Sequence, residues 1–300
     1  MTILRVHHLT TYSYRRPVGF GQHRLMFRPR DSYDQRLLQS NLTIWPHPSD
    51  LFWIHDVFGN CVAVADFNTE SDQLFFETDI VLDHTPQHAP HFRTDESGKT
   101  WPFHYDEEDL PDLLPLIARK FSDDGGMVDS WARRFVNPRG STDTALMLES
   151  MTHAIRQDFK YNSRDNPGTQ TPEMTLYSLS GTCRDFALLM MEAVRALGLA
   201  ARFVTGYIYA PLRDTSEHLG EGATHAWVQI FLPGAGWVEF DPTNGIIGNR
   251  DLIRVGVTRD PRQAIPLWGS HTGSRMDSLG MNVQVKVTSI EVSDPPAPFI

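Results

Sequence analysis

The feature that most constrains the fold is a change in hydrophobic periodicity about a third of the way along the chain. The first hundred residues contain short β-rich segments about ten residues apart, separated by turns such as Phe58-Gly59-Asn60. The segments predicted as strands are 2–9, 37–45, 53–57, 61–67 and 74–81. After residue 110 apolar residues recur every three to four positions, and strand patterns return at 201–210, 224–232 and 236–241. This order predicts an α+β fold that begins with an antiparallel β-sandwich-like domain, not an alternating parallel sheet.

Three helices are predicted in the second part of the chain, at 113–121, 142–158 and 183–197. Ser141 or Thr142 can cap the second helix, and Gly198 stands where the third helix needs a left-handed C-terminal cap. Residues 83–109 are rich in proline, histidine and acidic residues, which is typical of a linker or long loop. The proline-rich tail 290–300 is predicted to be an irregular surface strap.

Composition excludes several classes of protein. The chain of 300 residues has 27 basic and 37 acidic side chains, and a net charge of −10 is wrong for a protein that follows nucleic-acid phosphates. Two cysteines are too few for a disulfide framework or a Cys-rich zinc site. Residues 1–10 lack the apolar core of a signal peptide, and the most apolar stretch, 186–204, is interrupted by charged side chains. We therefore expect a cytoplasmic protein with reduced thiols and with neither nucleic acid nor membrane as a partner.

Cys183 is the candidate nucleophile because of its place at the start of the strongest predicted helix. The unpaired N–H groups and the dipole at a helix N-terminus favour negative charge, and the thiolate is the nucleophilic form of cysteine. The backbone N–H of Cys183 can also donate to a developing oxyanion, while Gly181 allows close approach of backbone and substrate. One turn of chain can thus supply the nucleophile and half of an oxyanion hole.

A histidine and a carboxylate follow on two consecutive predicted strands. His225 heads one strand and Asp241 ends the next, which is the set of groups that nucleophilic acyl transfer requires. Directly paired residues of two antiparallel strands lie on the same face of the sheet. Because 225 and 241 are both odd, His225 and Asp241 share a face only if the residue numbers of each directly paired couple add up to an even number. We therefore predict a bulge or an odd-length loop near Pro233–Gly236, with His225 opposite Asp241 or one pair away from it.

Four sequence blocks, in this order, resemble the bacterial transglutaminase-like superfamily, whose core is papain-like. The blocks are Gly181-Thr182-Cys183-Arg184-Asp185-Phe186-Ala187, the stretch 195–207, Thr224-His225-Ala226-Trp227-Val228 and Gly236-Trp237-Val238-Glu239-Phe240-Asp241-Pro242-Thr243-Asn244. The first hundred residues resemble, more loosely, the β-rich N-terminal domain that accompanies this core, through Tyr12-Ser13-Tyr14, His23-Arg24-Leu25 and Phe58-Gly59-Asn60. The resemblance implies an N-terminal β domain over 1–105, a catalytic core over 106–270 and a C-terminal strand and extended tail over 271–300.

The resemblance also implies a Cys-His-Asp triad, with Cys183 as nucleophile, His225 as general base and acid and Asp241 as the orienting carboxylate. Asp185 is expected to cap the helix or to bind an arginine. The implied reaction is acyl transfer or hydrolysis at a peptide or glutaminyl amide, and it requires no metal or organic cofactor. Asp106-Glu107-Glu108-Asp109 lacks the spacing and glycine of a calcium loop, so a protease or amidase is favoured over protein cross-linking.

Two other functions remain open. One is a protein-glutamine transglutaminase or deamidase, and the other is a non-catalytic scaffold that retains the triad and binds a peptide or protein. The expected partner in every case is a peptide or protein, and a homo-oligomer is compatible with the sequence.

Four further residues are candidates for substrate contacts. Trp227 and Trp237 share strand faces with the two later triad members, so they either shape a groove or pack in the core. Tyr161 and Asn162 precede the nucleophile region and are candidates for completing the oxyanion hole.

A rival site consists of four histidines, His84, His88, His91 and His104. The first two have the i, i+4 spacing that binds zinc on a helix. Prolines at 86 and 90 would break such a helix. We interpret the segment as a solvated, flexible linker and predict no metal site.

Overall fold

The structure is a computed structural model that describes residues 2–85, 93–164, 168–209 and 222–290. Its strands are β1 (Thr2–Gly19), β2 (His23–Leu25), β3 (Gln35–Trp45), β4 (Asp50–His55), β5 (Cys61–Asp66), β6 (Glu70–His84), β7 (Thr100–Trp101), β8 (Thr142–Asp143), β9 (Lys160–Tyr161), β10 (Ser180–Gly181), β11 (Ala201–Ile208), β12 (His225–Leu232), β13 (Gly236–Asp241), β14 (Ile246–Ile247), β15 (Leu252–Thr258), β16 (Leu267–Trp268) and β17 (Ser278–Ile290). Its helices are α1 (Leu110–Ile117), α2 (Met127–Arg133), α3 (Thr144–Asp158), α4 (Pro172–Ser178) and α5 (Cys183–Ala196). The α+β class is confirmed.

The N-terminal part of the chain forms two antiparallel sheets, with strand orders β17-β1-β6-β3 and β16-β2-β5-β4. The alternation of β6 is visible in its burial, since every second residue from Leu74 to His84 is buried. Side chains of both sheets share one apolar cluster that includes Leu25, Ala63 and Phe76. β17 and β16, from the end of the chain, complete one edge of each sheet, so the N-terminal module depends on C-terminal residues for its pairing.

The second part of the chain is built on an antiparallel sheet of order β14-β13-β12-β11-β15, here called the central sheet. α5 packs against one face of this sheet, where Ala226, Val228 and Ile230 of β12 join the main apolar cluster. Since α5 is covered on nearly all sides, all but a few of its residues are buried. Gly198, with φ +84°, ends the helix in the left-handed conformation that the sequence predicts.

The N-terminal module docks on β15, the edge strand of the central sheet, through two side-chain amides. Gln35 donates to the carbonyl of Arg254 at 2.8 Å and accepts from its N–H at 2.9 Å. Asn60 makes the same pair of bonds with Val257, at 2.8 and 2.9 Å. The two amides take hydrogen bonds that a neighbouring strand would otherwise make, which protects the edge.

The structure differs from the sequence predictions in several elements. β1 is about twice as long as predicted, and α2 and α4 lie in segments for which no helix was predicted. α3 is capped by Asp143, whose side chain accepts the N–H of Leu146, and not by Ser141 or Thr142. A polar residue one position further along was available, and its carboxylate is the better acceptor at a helix N-terminus.

The segment predicted as a linker begins inside a strand. His84 is the last residue of β6 and is buried, so it does not belong to a solvated loop. Within the described residues, no helix is long and apolar enough to cross a membrane. The cytoplasmic location, the partners and the domain boundaries stay predictions.

Candidate active site

Cys183 is the first residue of α5 and is 6 % exposed. The preceding residues Ser180 and Gly181 form β10, which pairs in parallel with β9, and this pairing fixes the approach to the helix. The backbone N–H of Cys183 finds no acceptor within the described part of the chain. Its N–H is therefore free to donate to a substrate oxygen, as the sequence predicts.

A capping box fixes the turn that holds Cys183. Asp185 accepts the backbone N–H of Thr182 at 2.8 Å, and the Thr182 side chain accepts the N–H of Asp185 in return. The other Asp185 oxygen accepts from Arg164 at 3.0 Å and from the backbone of Gln170 at 2.7 Å. Asp185 thus both caps the helix and binds an arginine. A Cβ on Gly181 would lie 2.8 Å from the Cβ of Asp185, so glycine is needed there for this capping geometry.

His225 and Asp241 meet across the β12–β13 hairpin. Leu232 pairs with Gly236, which leaves a three-residue loop and makes every pair sum to an even number. The predicted odd-length loop is confirmed. If the same register is continued, position 243 lies opposite His225, and Asp241 is two residues from that position on the same face of the sheet. His225 Nε2 and Asp241 Oδ2 lie 2.8 Å apart, and both side chains are buried.

The pair has a charged ground state. Burial alone lowers the pKa of His225, but the Asp241 carboxylate and the Cys183 thiol outweigh it and raise that pKa to about 10. Burial alone raises the pKa of Asp241, but the charge and hydrogen bond of His225 bring it below its usual value. A protonated His225 beside an ionised Asp241 is the state that results near neutral pH.

The remaining nitrogen of His225 is available for chemistry. Nδ1 is buried and has no hydrogen-bond partner among the described residues. The Cys183 side chain nevertheless contributes to the raised pKa of His225, which requires it to lie close to the ring. The chain thus brings together all three predicted triad residues, from the start of α5, the start of β12 and the end of β13.

Two residues after β13 complete the surroundings of Asp241. Asn244 Nδ2 donates to Oδ2 at 2.8 Å, and the backbone N–H of Thr243 donates to Oδ1 at 2.9 Å. Asn244 lies in the last of the four sequence blocks, but no function is predicted for it from the sequence. An amide side chain three residues after a strand-ending aspartate was the signal that could have identified it.

The two oxyanion candidates lie in different surroundings. Tyr161 is half-buried in β9, and its pKa rises to about 12 because of burial and the nearby charges of Cys183, Asp241 and Asp185. This places the phenol close to the triad in its neutral, hydrogen-donating form. Asn162 is exposed, and its backbone N–H already donates to the carbonyl of Gly181. Only the side chain of Asn162 remains free to reach a substrate.

The two tryptophans separate into different environments. Trp227 is fully buried and stacks on His225 with ring centroids 5.9 Å apart, so it supports the imidazole from within the core. A Cβ on Gly206 would lie 2.7 Å from its indole, and glycine there leaves room for the ring. Trp237 is half-buried further along the same face, stacked against Arg202. The predicted substrate groove therefore does not include Trp227.

The histidine group does not form a metal centre within the described residues. His84 is buried and His104 is exposed, whereas His88 and His91 lie outside the described residues. No group of three or more His, Cys, Asp or Glu side chains in the described ranges is arranged to hold a metal ion.

Comparison with known proteins bears on the fold and the family of this chain. A solved structure of a candidate cysteine protease from Cytophaga hutchinsonii superposes with a TM-score of 0.70 over 100 % of this chain and 94 % of the other, at 18 % identity, which establishes a common fold. The fold and the site define a papain-like protein of the class that uses cysteine-based catalysis. Residues 4–83 match the bacterial transglutaminase-like N-terminal region, and residues 130–242 match the transglutaminase-like superfamily. The chain therefore belongs to the bacterial transglutaminase-like superfamily.

Two relatives show how far the similarity extends. An uncharacterized protein of Mycobacterium tuberculosis is 29 % identical over 94 % of this chain and 91 % of its own length. A protein-glutamine gamma-glutamyltransferase of Pseudomonas aeruginosa is 36 % identical, but only over 24 % of this chain and 11 % of its own.

Proposed function

We propose that this protein is a cysteine-dependent amidase or protease that acts on peptide or glutaminyl amides through Cys183, His225 and Asp241. The observation that carries the proposal is the buried pair of His225 and Asp241, whose Nε2 and Oδ2 atoms lie 2.8 Å apart. The other ring nitrogen of His225, Nδ1, has no hydrogen-bond partner among the described residues, and the Cys183 side chain contributes to the raised pKa of the same ring. A neighbouring imidazolium and a helix N-terminus both favour the thiolate of a cysteine.

The reaction proceeds through a thioester. The Cys183 thiolate attacks the amide carbonyl carbon, and the Cys183 N–H donates to the oxygen that becomes negative. The C–N bond then breaks as His225 gives its proton to the departing nitrogen. Water gives a proton to His225 as its oxygen attacks the thioester, and the C–S bond breaks to release a carboxylic acid and the Cys183 thiolate; the acid then loses its proton to solvent.

Transglutamination or deamidation is the second candidate. It is favoured by the local similarity to the Pseudomonas aeruginosa gamma-glutamyltransferase, and it differs only in the group that attacks the thioester or in the amide chosen. Hydrolysis of the peptide backbone gives two fragments, deamidation of glutamine gives a carboxylate at the same position, and an amine gives an adduct.

Mass spectrometry of the acyl-enzyme tests the proposal. Wild-type protein and Cys183→Ala are incubated with a peptide library, with and without a primary amine. We expect an acyl adduct on Cys183 of the wild type and hydrolysed products in both conditions, and we expect neither with Cys183→Ala. An amine adduct that replaces the hydrolysed product would instead establish the transglutaminase.

Cys61 provides the matched control, because it is the second cysteine and lies in β5 of the N-terminal module. Cys61→Ala should retain the acyl adduct and the turnover. Full turnover by Cys183→Ala would overturn the proposed mechanism. A wild-type Cys183 that forms no acyl adduct with any peptide would support the scaffold alternative.

A further inference from the structure

A large polar cavity lies between the N-terminal module and the central sheet. Its volume is about 890 Å³, and one wall is formed by the 30–34 segment that follows β2. The opposite wall carries Arg202, Gln229, Trp237 and Glu239, on the same sheet face as His225. Gln229 is four residues along β12 from His225, about 13 Å at strand spacing, so the cavity is separate from the triad.

Three of the seven charged side chains that line the cavity form ion pairs with one another. Arg254 binds Glu239 at 2.6 Å and Asp34 at 3.1 Å. Asp34 also accepts from Asn249 at 2.6 Å, and Glu239 accepts from Gln229 at 2.5 Å. These two carboxylates therefore have their partners without any further cation.

Four other charged side chains of the lining, Arg30, Asp31, Arg93 and Arg202, have no ion pair within the described residues, and Arg202 is held most firmly by its surroundings. Its Nε donates to Gln229 Oε1 at 2.7 Å, but no carboxylate of the described residues lies within ion-pair distance, and neither Nη atom makes a hydrogen bond there. Its guanidinium carbon lies 4.1 Å from the centre of the Trp237 ring, which holds the group flat and fixed. Arg30, on the opposite wall, donates to the backbone carbonyl of Phe58 at 3.1 Å and to no other group that the structure describes.

The electrostatics of Arg202 agree with this geometry. Burial, followed by the positive charges of Arg254 and Arg30, lowers the pKa of Arg202 to about 9, although Glu239 opposes the shift. A partly buried cation without a direct counter-ion is costly, and an anion that binds its free nitrogens removes that cost.

We propose that this cavity binds a small molecule bearing a carboxylate or phosphate oxyanion, which accepts hydrogen bonds from the free nitrogens of Arg202 opposite Arg30. The planar fork of arginine matches either oxyanion with two parallel hydrogen bonds. The mostly polar lining fits a hydrophilic ligand, and the two other charged pairs hold the walls in place.

The test is titration calorimetry of the full chain with citrate and with inorganic phosphate, each at the ionic strength of a matched chloride buffer. We expect the wild type to bind at least one of them, and the stronger of the two identifies the oxyanion. Binding should weaken at least tenfold in Arg202→Gln. It should be unchanged in Arg139→Gln, a variant of an exposed arginine outside the cavity.

Two further variants keep the test decisive if Arg202→Gln folds poorly. Arg202→Lys retains the charge but loses the fork, so it should bind several-fold more weakly than the wild type. Trp237→Phe should retain binding but lose the change in tryptophan emission that the ligand causes in the wild type. The proposal is overturned if the folded wild type binds neither anion, or if Arg202→Gln or Arg202→Lys binds as tightly as the wild type.

Discussion

At the scale of single residues, the chemistry depends on how Asp241 sets the charge of His225. A histidine with a pKa near 6.5 would be mostly neutral at pH 7.5, whereas the Asp241 carboxylate, against the effect of burial, holds the pKa of His225 at about 10. Asn244 and Thr243 hold that carboxylate in place by two hydrogen bonds. His225 is therefore protonated over the whole neutral range.

The first prediction concerns Asp241→Asn. The amide removes the negative charge, so the pKa of His225 should fall below the wild-type value. The alkaline limb of the pH–rate profile should then move to lower pH, and turnover should drop by about 10²–10⁴-fold. An NMR titration of the His225 ring, assigned by its loss in His225→Asn, measures the pKa independently of activity. An unchanged titration in Asp241→Asn would contradict the assignment.

The raised pKa of His225 also makes the free energy of unfolding depend on pH. Because the pKa of His225 is higher in the folded state than its ordinary value of 6.5, protonation favours the folded protein. That contribution is complete below about pH 6.5 and is lost as pH rises towards about 10. The difference in free energy of unfolding between wild type and His225→Asn should therefore shrink over that range.

At the scale of elements, α5 owes its position to its first turn. Asp185 joins the helix start to Arg164 and to the backbone of Gln170, so one carboxylate ties three segments together. We predict that Asp185→Ala lowers the free energy of unfolding by about 2 kcal/mol and also reduces turnover, because Cys183 loses its fixed place. Urea denaturation and single-turnover acylation measure the two effects.

Asp143 provides the control for that variant, since its carboxylate also caps a helix N-terminus, that of α3, but as the N-cap residue and far from the triad in sequence. Asp143→Ala should cost about 1 kcal/mol and leave turnover intact. Equal losses of activity in the two variants would show that stability alone, and not the placement of Cys183, accounts for the effect.

A second element-scale prediction concerns the charges buried inside α5. Glu192 and Arg195 form an ion pair at 2.9 Å with both side chains inaccessible to solvent, and Arg195 also donates to three backbone carbonyls. Arg195→Met removes the nearer of two arginines from the buried Glu192 carboxylate, which keeps Arg119 at 3.8 Å and the backbone N–H groups of Lys120 and Phe121, and should cost about 3 kcal/mol. Adding Glu192→Leu should recover part of this loss in chemical denaturation. A double variant less stable than Arg195→Met would contradict the explanation.

These elements also show what sequence could and could not predict. α5, its glycine cap and the β12–β13 hairpin were predictable because their periodicity, turn residues and strand parity are local properties. α2 and α4 were missed since each is only seven residues long and owes its burial to tertiary packing. The burial of Trp227 and the unpartnered Nη donors of Arg202 within the described residues depend on which module covers this face of the central sheet. No local sequence pattern encodes the packing of one module on another.

At the scale of the whole molecule, the N-terminal module reaches the active site through the central sheet. Phe58 packs against the cluster that contains Trp227, and Trp227 stacks on His225. The neighbouring Asn60, from the same motif, is fully buried and bonds both backbone groups of Val257 on β15. The motif that resembled the N-terminal domain is thus a docking turn beside the apolar cluster that contains Trp227, the residue stacked on His225.

The last prediction follows from that docking turn. Asn60→Ala leaves a buried N–H and a buried carbonyl of Val257 without partners, at about 1–3 kcal/mol for each group. We expect the melting temperature to fall by roughly 4–8 °C. Because the Phe58 turn would loosen with it, turnover should fall as well, even at temperatures where the protein remains folded. Asn41→Ala, at an exposed position of β3, should change neither. A melting temperature for Asn60→Ala equal to that of Asn41→Ala would show that the N-terminal module is held by its apolar contacts alone.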